Sequence, residues 1–99
     1  MKSLFLNLRK RLPEGYPLPP IDARGAKLSS GMPVRIVSIP DWLTRDLPKE
    51  EALELKALEG QVLSILEIDA YGMVWFGEDA PWFCVRPKDV MRIVVQGPY

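Results

Sequence analysis

The chain has 99 residues, 47% of them hydrophobic and 26% charged, with thirteen Lys+Arg against thirteen Asp+Glu. That length supplies one core, the composition excludes wholesale disorder or a fibrous repeat, and zero net charge argues against a dedicated nucleic-acid binder or a polybasic membrane-surface protein. The absence of His and the single Cys remove Ser–His and Cys–His catalysis and most zinc chemistry from consideration.

Met1-Lys2 and the apolar stretch Ser3-Leu4-Phe5-Leu6 open like a signal peptide. Asn7 interrupts the run, Arg9-Lys10-Arg11 stops it, and no small-residue cleavage site follows, so export is not expected. No run of about 18 apolar residues is present to span a bilayer. Cys84 has no partner within the chain, which fits a reducing cytoplasm. Phe5, Leu8 and Leu12 repeat at helical spacing and predict about two turns of amphipathic helix from Ser3 to Arg11, marginal unless docked. Pro13, Pro17, Pro19 and Pro20 then forbid a helix interior or a central strand, so 13–30 reads as an extended arm. Six basic against two acidic side chains give residues 1–30 a charge of plus four and leave minus four for 31–99. The expected division is an arm, 1–30, and a folded domain, 31–99.

Met32 to Ile39 is β-branched and close to alternating, which predicts a first strand ended by Pro40. Pro48, Glu50 and Glu51 suit a first helical turn, and Gly60 a C′ stop, so a helix is expected over 48–59. Gln61 to Asp69 reads as a second strand whose broken alternation signals a bulge or burial on both faces. Asp69-Ala70-Tyr71-Gly72 is turn chemistry, so Met73 to Phe76 is the return strand. Trp82 to Val85 makes a fourth strand, Arg86 to Val90 suits one 3₁₀ turn, and Arg92 to Val95 a fifth strand.

Five short strands with one short helix cannot cover a flat sheet on both faces, so a mainly β, closed five-stranded barrel is expected. The order of parts resembles the SH3-like barrels. The likeness runs from Val34-Arg35-Ile36-Val37 through Gly60-Gln61-Val62, the Asp69–Gly72 hairpin, Val74-Trp75-Phe76 and Phe83-Cys84-Val85 to Pro87-Lys88-Asp89-Val90. It covers about residues 31–96 and looks nearest to small bacterial barrels and the photosystem I accessory subunit type. The chain departs from them by its helix inserted between the first two strands. It also lacks the acidic, tyrosine-rich first loop of signalling SH3 domains, so recognition of Pro-x-x-Pro ligands does not carry over.

Few residues invite chemistry. Cys84, between Phe83 and Val85, reads as inert filler. Glu67 and Asp69 share a strand face, the arrangement of a glycosidase pair, but their place at a hairpin assigns Asp69 to the turn and Glu67 to water. Glu50, Glu51 and Glu54 with Asp46 invite a hard cation, yet complement a helix dipole as a solvated face. No catalytic residue, metal ligand or cofactor is assigned.

The feature above background is aromatic: Tyr71, Trp75, Phe76, Trp82 and Phe83 fall within thirteen residues, and Trp42 precedes the helix. If Phe76, Phe83 and Val85 fill the barrel, alternation sends Trp75 and Trp82 outward as cross-strand neighbours. The expectation is a non-enzymatic interaction module that docks a protein partner on Trp42, Tyr71, Trp75 and Trp82, the partner being unidentified, a second copy or the chain's own arm. Pro17-Leu18-Pro19-Pro20 is preset for polyproline II docking on such a surface. The opposing account is an outer layer in which the arm or the 48–59 helix covers the indoles. A second functional reading has Arg9, Lys10 and Arg11 contact phosphates while Trp75 and Trp82 stack bases; the negative charge of 31–99 opposes it.

Overall fold

In this structure, a computed structural model, residues 15–93 are described. The expected helix over Ser3–Arg11, and Val94 and Val95 of the expected last strand, lie outside them. The elements in chain order are β1 (Pro33–Ile36), α1 (Asp41–Thr44), α2 (Lys49–Lys56), β2 (Val62–Ser64), β3 (Glu67–Ile68), β4 (Val74–Gly77), β5 (Pro81–Val85), a 3₁₀ turn (Pro87–Asp89) and β6 (Val90–Arg92).

The strands form two antiparallel three-stranded sheets, ordered β2-β1-β6 and β3-β4-β5. Among the described residues there are six strands and no ladder joins one sheet to the other, so the closed five-stranded shell that was expected is not seen there. The extra strand comes from a break at Ile65-Leu66. Ile65 N–H donates to Met32 O at 2.9 Å beside the first sheet, and the next amide, Leu66 N–H, donates to Trp75 O of β4 at 2.8 Å. The chain thus changes sheets between consecutive residues, while the Ile65 side chain is buried at the bend. The broken alternation of 61–69 records this switch.

Alternation places Val34 and Ile36 of β1, Val74 and Phe76 of β4, and Phe83 and Val85 of β5 in one core with Val90, so the two sheets share it. Phe76 and Phe83 pair directly across β4 and β5, their rings stacked at 5.3 Å. Full burial of each ring is worth roughly 2–3 kcal/mol. Leu28 of the arm and Leu55 of α2 join the same cluster.

α2 begins after Pro48, whose extended backbone fits an N-cap, with Glu50 and Glu51 in its first turn and Lys56 in its last. It is shorter than the expected 48–59 because residues 57–60 continue as turns, Gly60 donating to Ile36 O at 2.8 Å. Two charged side chains tie this segment to the end of the first strand: Lys56 Nζ donates to Ile39 O at 2.8 Å, and Glu59 Oε2 accepts Ile39 N–H at 2.7 Å. Ile39 is buried, so these bonds satisfy backbone groups that no strand partner reaches. The last strand starts at Val90, two residues earlier than expected, because Ile36 pairs with Val90 and Val34 with Arg92.

The arm lies against both sheets. Leu18 N–H donates to Tyr71 O at 2.8 Å, and Ala23 N–H to Val90 O at 3.0 Å. Asp22 is buried and ties a tight 22–26 loop to β6: Oδ1 accepts Arg24 N–H and Ala26 N–H, each at 2.8 Å, and Oδ2 accepts Arg92 N–H at 2.6 Å. Burial opposes the Asp22 charge, but the amides of Arg92, Ala26, Arg24 and Gly25 outweigh it and hold the carboxyl below its ordinary value.

Candidate functional site

Trp75 and Trp82 meet at one groove of about 370 Å³, between the helical segment and the β4–β5 hairpin. Its walls are Leu43, Leu47 and Leu55 on the helical side and Phe83 and Cys84 on the sheet side. Among the described residues its charged lining consists of Glu51 and Glu54.

The two indoles, expected as cross-strand neighbours, both line this groove without being directly opposed in the ladder. Trp75 faces Cys84, Phe76 faces Phe83, and the register then slips so that Gly77 faces Pro81. Trp82 is left without a ladder partner at this irregularity, which behaves as a bulge and re-aims its side chain. Trp82 is 55% exposed and its ring meets Phe83 edge-on at 5.1 Å. Its other side borders a second groove of about 620 Å³ lined by Val62, Leu63, Phe76 and Gly77, making Trp82 a ridge between two apolar depressions.

Trp75 is half-buried and fixed. Asp69 Oδ2 accepts its Nε1–H at 2.8 Å, while Asp69 Oδ1 accepts the amides of Tyr71 and Met73, each at 2.9 Å. One carboxylate therefore builds the hairpin turn and sets the indole. The turn role of Asp69 was legible in the sequence, and its bond to Trp75 was not. Glu67 is exposed.

Trp42 and Tyr71 do not line this groove. Trp42, 38% exposed, lies under the Arg86 guanidinium, whose carbon is 5.6 Å from the ring centroid. Tyr71 packs edge-on against Tyr16 of the arm at 5.9 Å. The arm thus covers Tyr71, α1 and α2 wall in Trp75, and Trp82 stays open. Arg9, Lys10 and Arg11 lie outside the described residues.

Glu51 and Glu54 are exposed, as the solvated-face reading expected, and they also border the groove, which that reading did not foresee. Within α2, Glu54 and Leu55 lie three and four residues after Glu51, the spacing that places them on the same side of the helix as Glu51. Among the described residues no group of three or more His, Cys, Asp or Glu is placed to hold a metal, so Glu50, Glu51, Glu54 and Asp46 form no such centre. Cys84 is a half-buried free thiol; burial, assisted by the Asp69 charge, pushes it up to about 11. It is a neutral thiol at physiological pH, leaving the groove apolar with an acidic edge. No helix among the described residues is long and apolar enough to cross a membrane.

No protein-family model, characterised protein or solved structure matches the chain.

Proposed function

We propose that the chain is a non-enzymatic interaction module on an SH3-like small barrel, with the Trp75–Trp82 groove as its docking face for an extended or helical protein segment. The observation that carries the reading is Trp82, more than half exposed on a bulge at the mouth of an apolar groove. Large side chains in such a position serve as anchors, because covering them removes apolar area from water. Trp75 arrives pre-oriented by Asp69, so little rotamer entropy is lost when a ligand packs on it. Glu51 and Glu54 add charge selectivity, favouring a ligand with basic residues and disfavouring a polyanion.

The barrel assignment draws support from strand order. Along the chain a first strand is followed by a long helical excursion, a tight hairpin at Asp69–Gly72 joins the next strands, and a 3₁₀ turn precedes the final strand. That sequence of parts is the one the SH3-like resemblance implies.

The test is selection from a random peptide library on the immobilised full chain, with Leu47→Asp and Trp82→Ala proteins as controls. Enriched peptides should carry an aromatic or aliphatic anchor next to Lys or Arg and lose binding to both variants. Peptides that bind wild type and variants equally would end the proposal.

A further inference from the structure

We propose that the outer edge of β2 is a second binding site, which takes an extended segment of a partner protein as an added strand, with its alternate side chains in the groove beyond Trp82 and a Lys or Arg against Glu78. The site lies on the other side of Trp82 from the Trp75 groove and does not depend on that groove being a docking face.

The main chain defines the site. Ile36 N–H donates to Gln61 O and Ile65 N–H to Met32 O, each at 2.9 Å, while Val34 stands opposite Leu63. Backbone groups alternate in direction along a strand, so residues 61, 63 and 65 turn theirs toward β1, and Val62 and Ser64 turn theirs away. No hydrogen bond among the described residues ends on those outward N–H and C=O groups. The opposite edge of the same sheet is closed by the arm: Val90 O accepts Ala23 N–H at 3.0 Å, and Arg92 N–H donates to Asp22. The sheet is thus protected along β6 and open along β2, which carries no Lys or Pro to blunt it and leaves Val62 exposed.

Groove and charge select the occupant. Beside the edge lies the depression of about 620 Å³, with Leu63, Phe76 and Trp82 as its apolar lining and, among the described residues, Glu78 as its charged lining. The outward donors and acceptors of Val62 and Ser64 match a backbone in β conformation, whose alternate side chains then fall on that lining. A helix has its main-chain groups bonded internally and cannot use them. A second copy would offer the same edge with the same Glu78, like charge near like charge, whereas a partner segment carrying Lys or Arg complements it. β2 has three residues, about 10 Å of strand, so a short extended stretch is enough to pair with it.

The test begins with hydrogen exchange on the full chain. The Val62 and Ser64 amides should exchange at least an order of magnitude faster than Leu63. Protection of both in the free, monomeric chain would show the edge already covered and overturn the proposal. Linear peptides about seven residues long are then selected on the immobilised full chain. One class should alternate apolar residues, carry Lys or Arg, and slow Val62 and Ser64 exchange by an order of magnitude or more when bound. Val62→Pro removes an outward donor at the first position of the strand, where the β1 ladder does not use it, and should weaken this class about tenfold with the thermal midpoint little changed. N-methylation of alternate residues in a selected peptide reads the same pairing with the chain unaltered: one alternate set should abolish binding and the other should leave it. Glu78→Lys should weaken the basic members of the class. If every enriched peptide binds Val62→Pro as it binds wild type and none protects Val62 and Ser64, the proposal fails, and loss of those same peptides with Leu47→Asp would leave the Trp75 groove standing. Peptides that need Val62 and ignore Leu47→Asp would carry the β2 edge and not the groove. Protection of both amides that appears without peptide and grows with the mass of the particle would make the occupant a second copy and overturn the partner assignment.

Discussion

Asp69 accepts the Trp75 indole N–H at 2.8 Å with one oxygen and the amides of Tyr71 and Met73 with the other. A single carboxylate thus couples the geometry of the hairpin to the wall of the groove. Asp69→Ala leaves three donors to find water or remain unpaired, and a loss of about 2–4 kcal/mol in unfolding free energy is expected by urea titration. Trp75→Phe removes only the indole bond and some packing, so it should cost less. A double-mutant cycle should give a coupling energy above about 0.5 kcal/mol; independent effects would show that the bond does not hold the ring.

Asp22 makes stability depend on pH. Its folded carboxyl is held below its ordinary value, so its contribution is fully present above the unfolded value of about 3.9 and is lost as pH falls through the folded one. Asp22→Asn should therefore be less stable than wild type at pH 7, with the gap narrowing below about pH 4. Chemical denaturation across that range checks it, and a constant gap would assign the effect to shape rather than charge.

Gly72 sits where the arm crosses the hairpin. Its φ is +88°, and a Cβ there would collide with the Leu18 backbone. Gly72→Ala is expected to cost about 1–3 kcal/mol and to release the Leu18 N–H bond to Tyr71 O. Hydrogen exchange at Leu18 should rise by an order of magnitude or more, while Val34 and Val85 in the sheets change less.

Cys84 should react slowly with alkylating reagents. With its thiol pushed up to about 11, the thiolate is a minute fraction at pH 7.5. The alkylation rate should climb steadily with pH to beyond 10, and a plateau near pH 8 would contradict the burial assigned to it.

Much of the core was legible because period-two alternation is a local property. Val34, Ile36, Val74, Phe76, Phe83 and Val85 all point inward as their strands predict. The hairpin at Asp69–Gly72 was legible for the same reason, its turn chemistry lying within four residues. What the sequence concealed depends on partners far along the chain. The sheet change at Ile65-Leu66 needs Met32 and Trp75, and the register slip that frees Trp82 needs the pairing of Gly77 with Pro81. The arm-to-strand ties of Asp22 likewise join residues seventy apart. At the candidate site, the aromatic residues stood out by composition, but their division into the Trp75–Trp82 groove, the Arg86-covered Trp42 and the arm-covered Tyr71 is a matter of tertiary packing.

The most direct measurement of the docking face is a two-dimensional NMR titration of the full chain with a library-selected peptide. The Trp75 and Trp82 indole signals and the Leu47 and Glu51 amides should move together along one saturation curve. Binding with those four signals stationary, and the response falling instead at Tyr71 and Leu18, would contradict the assignment of the groove.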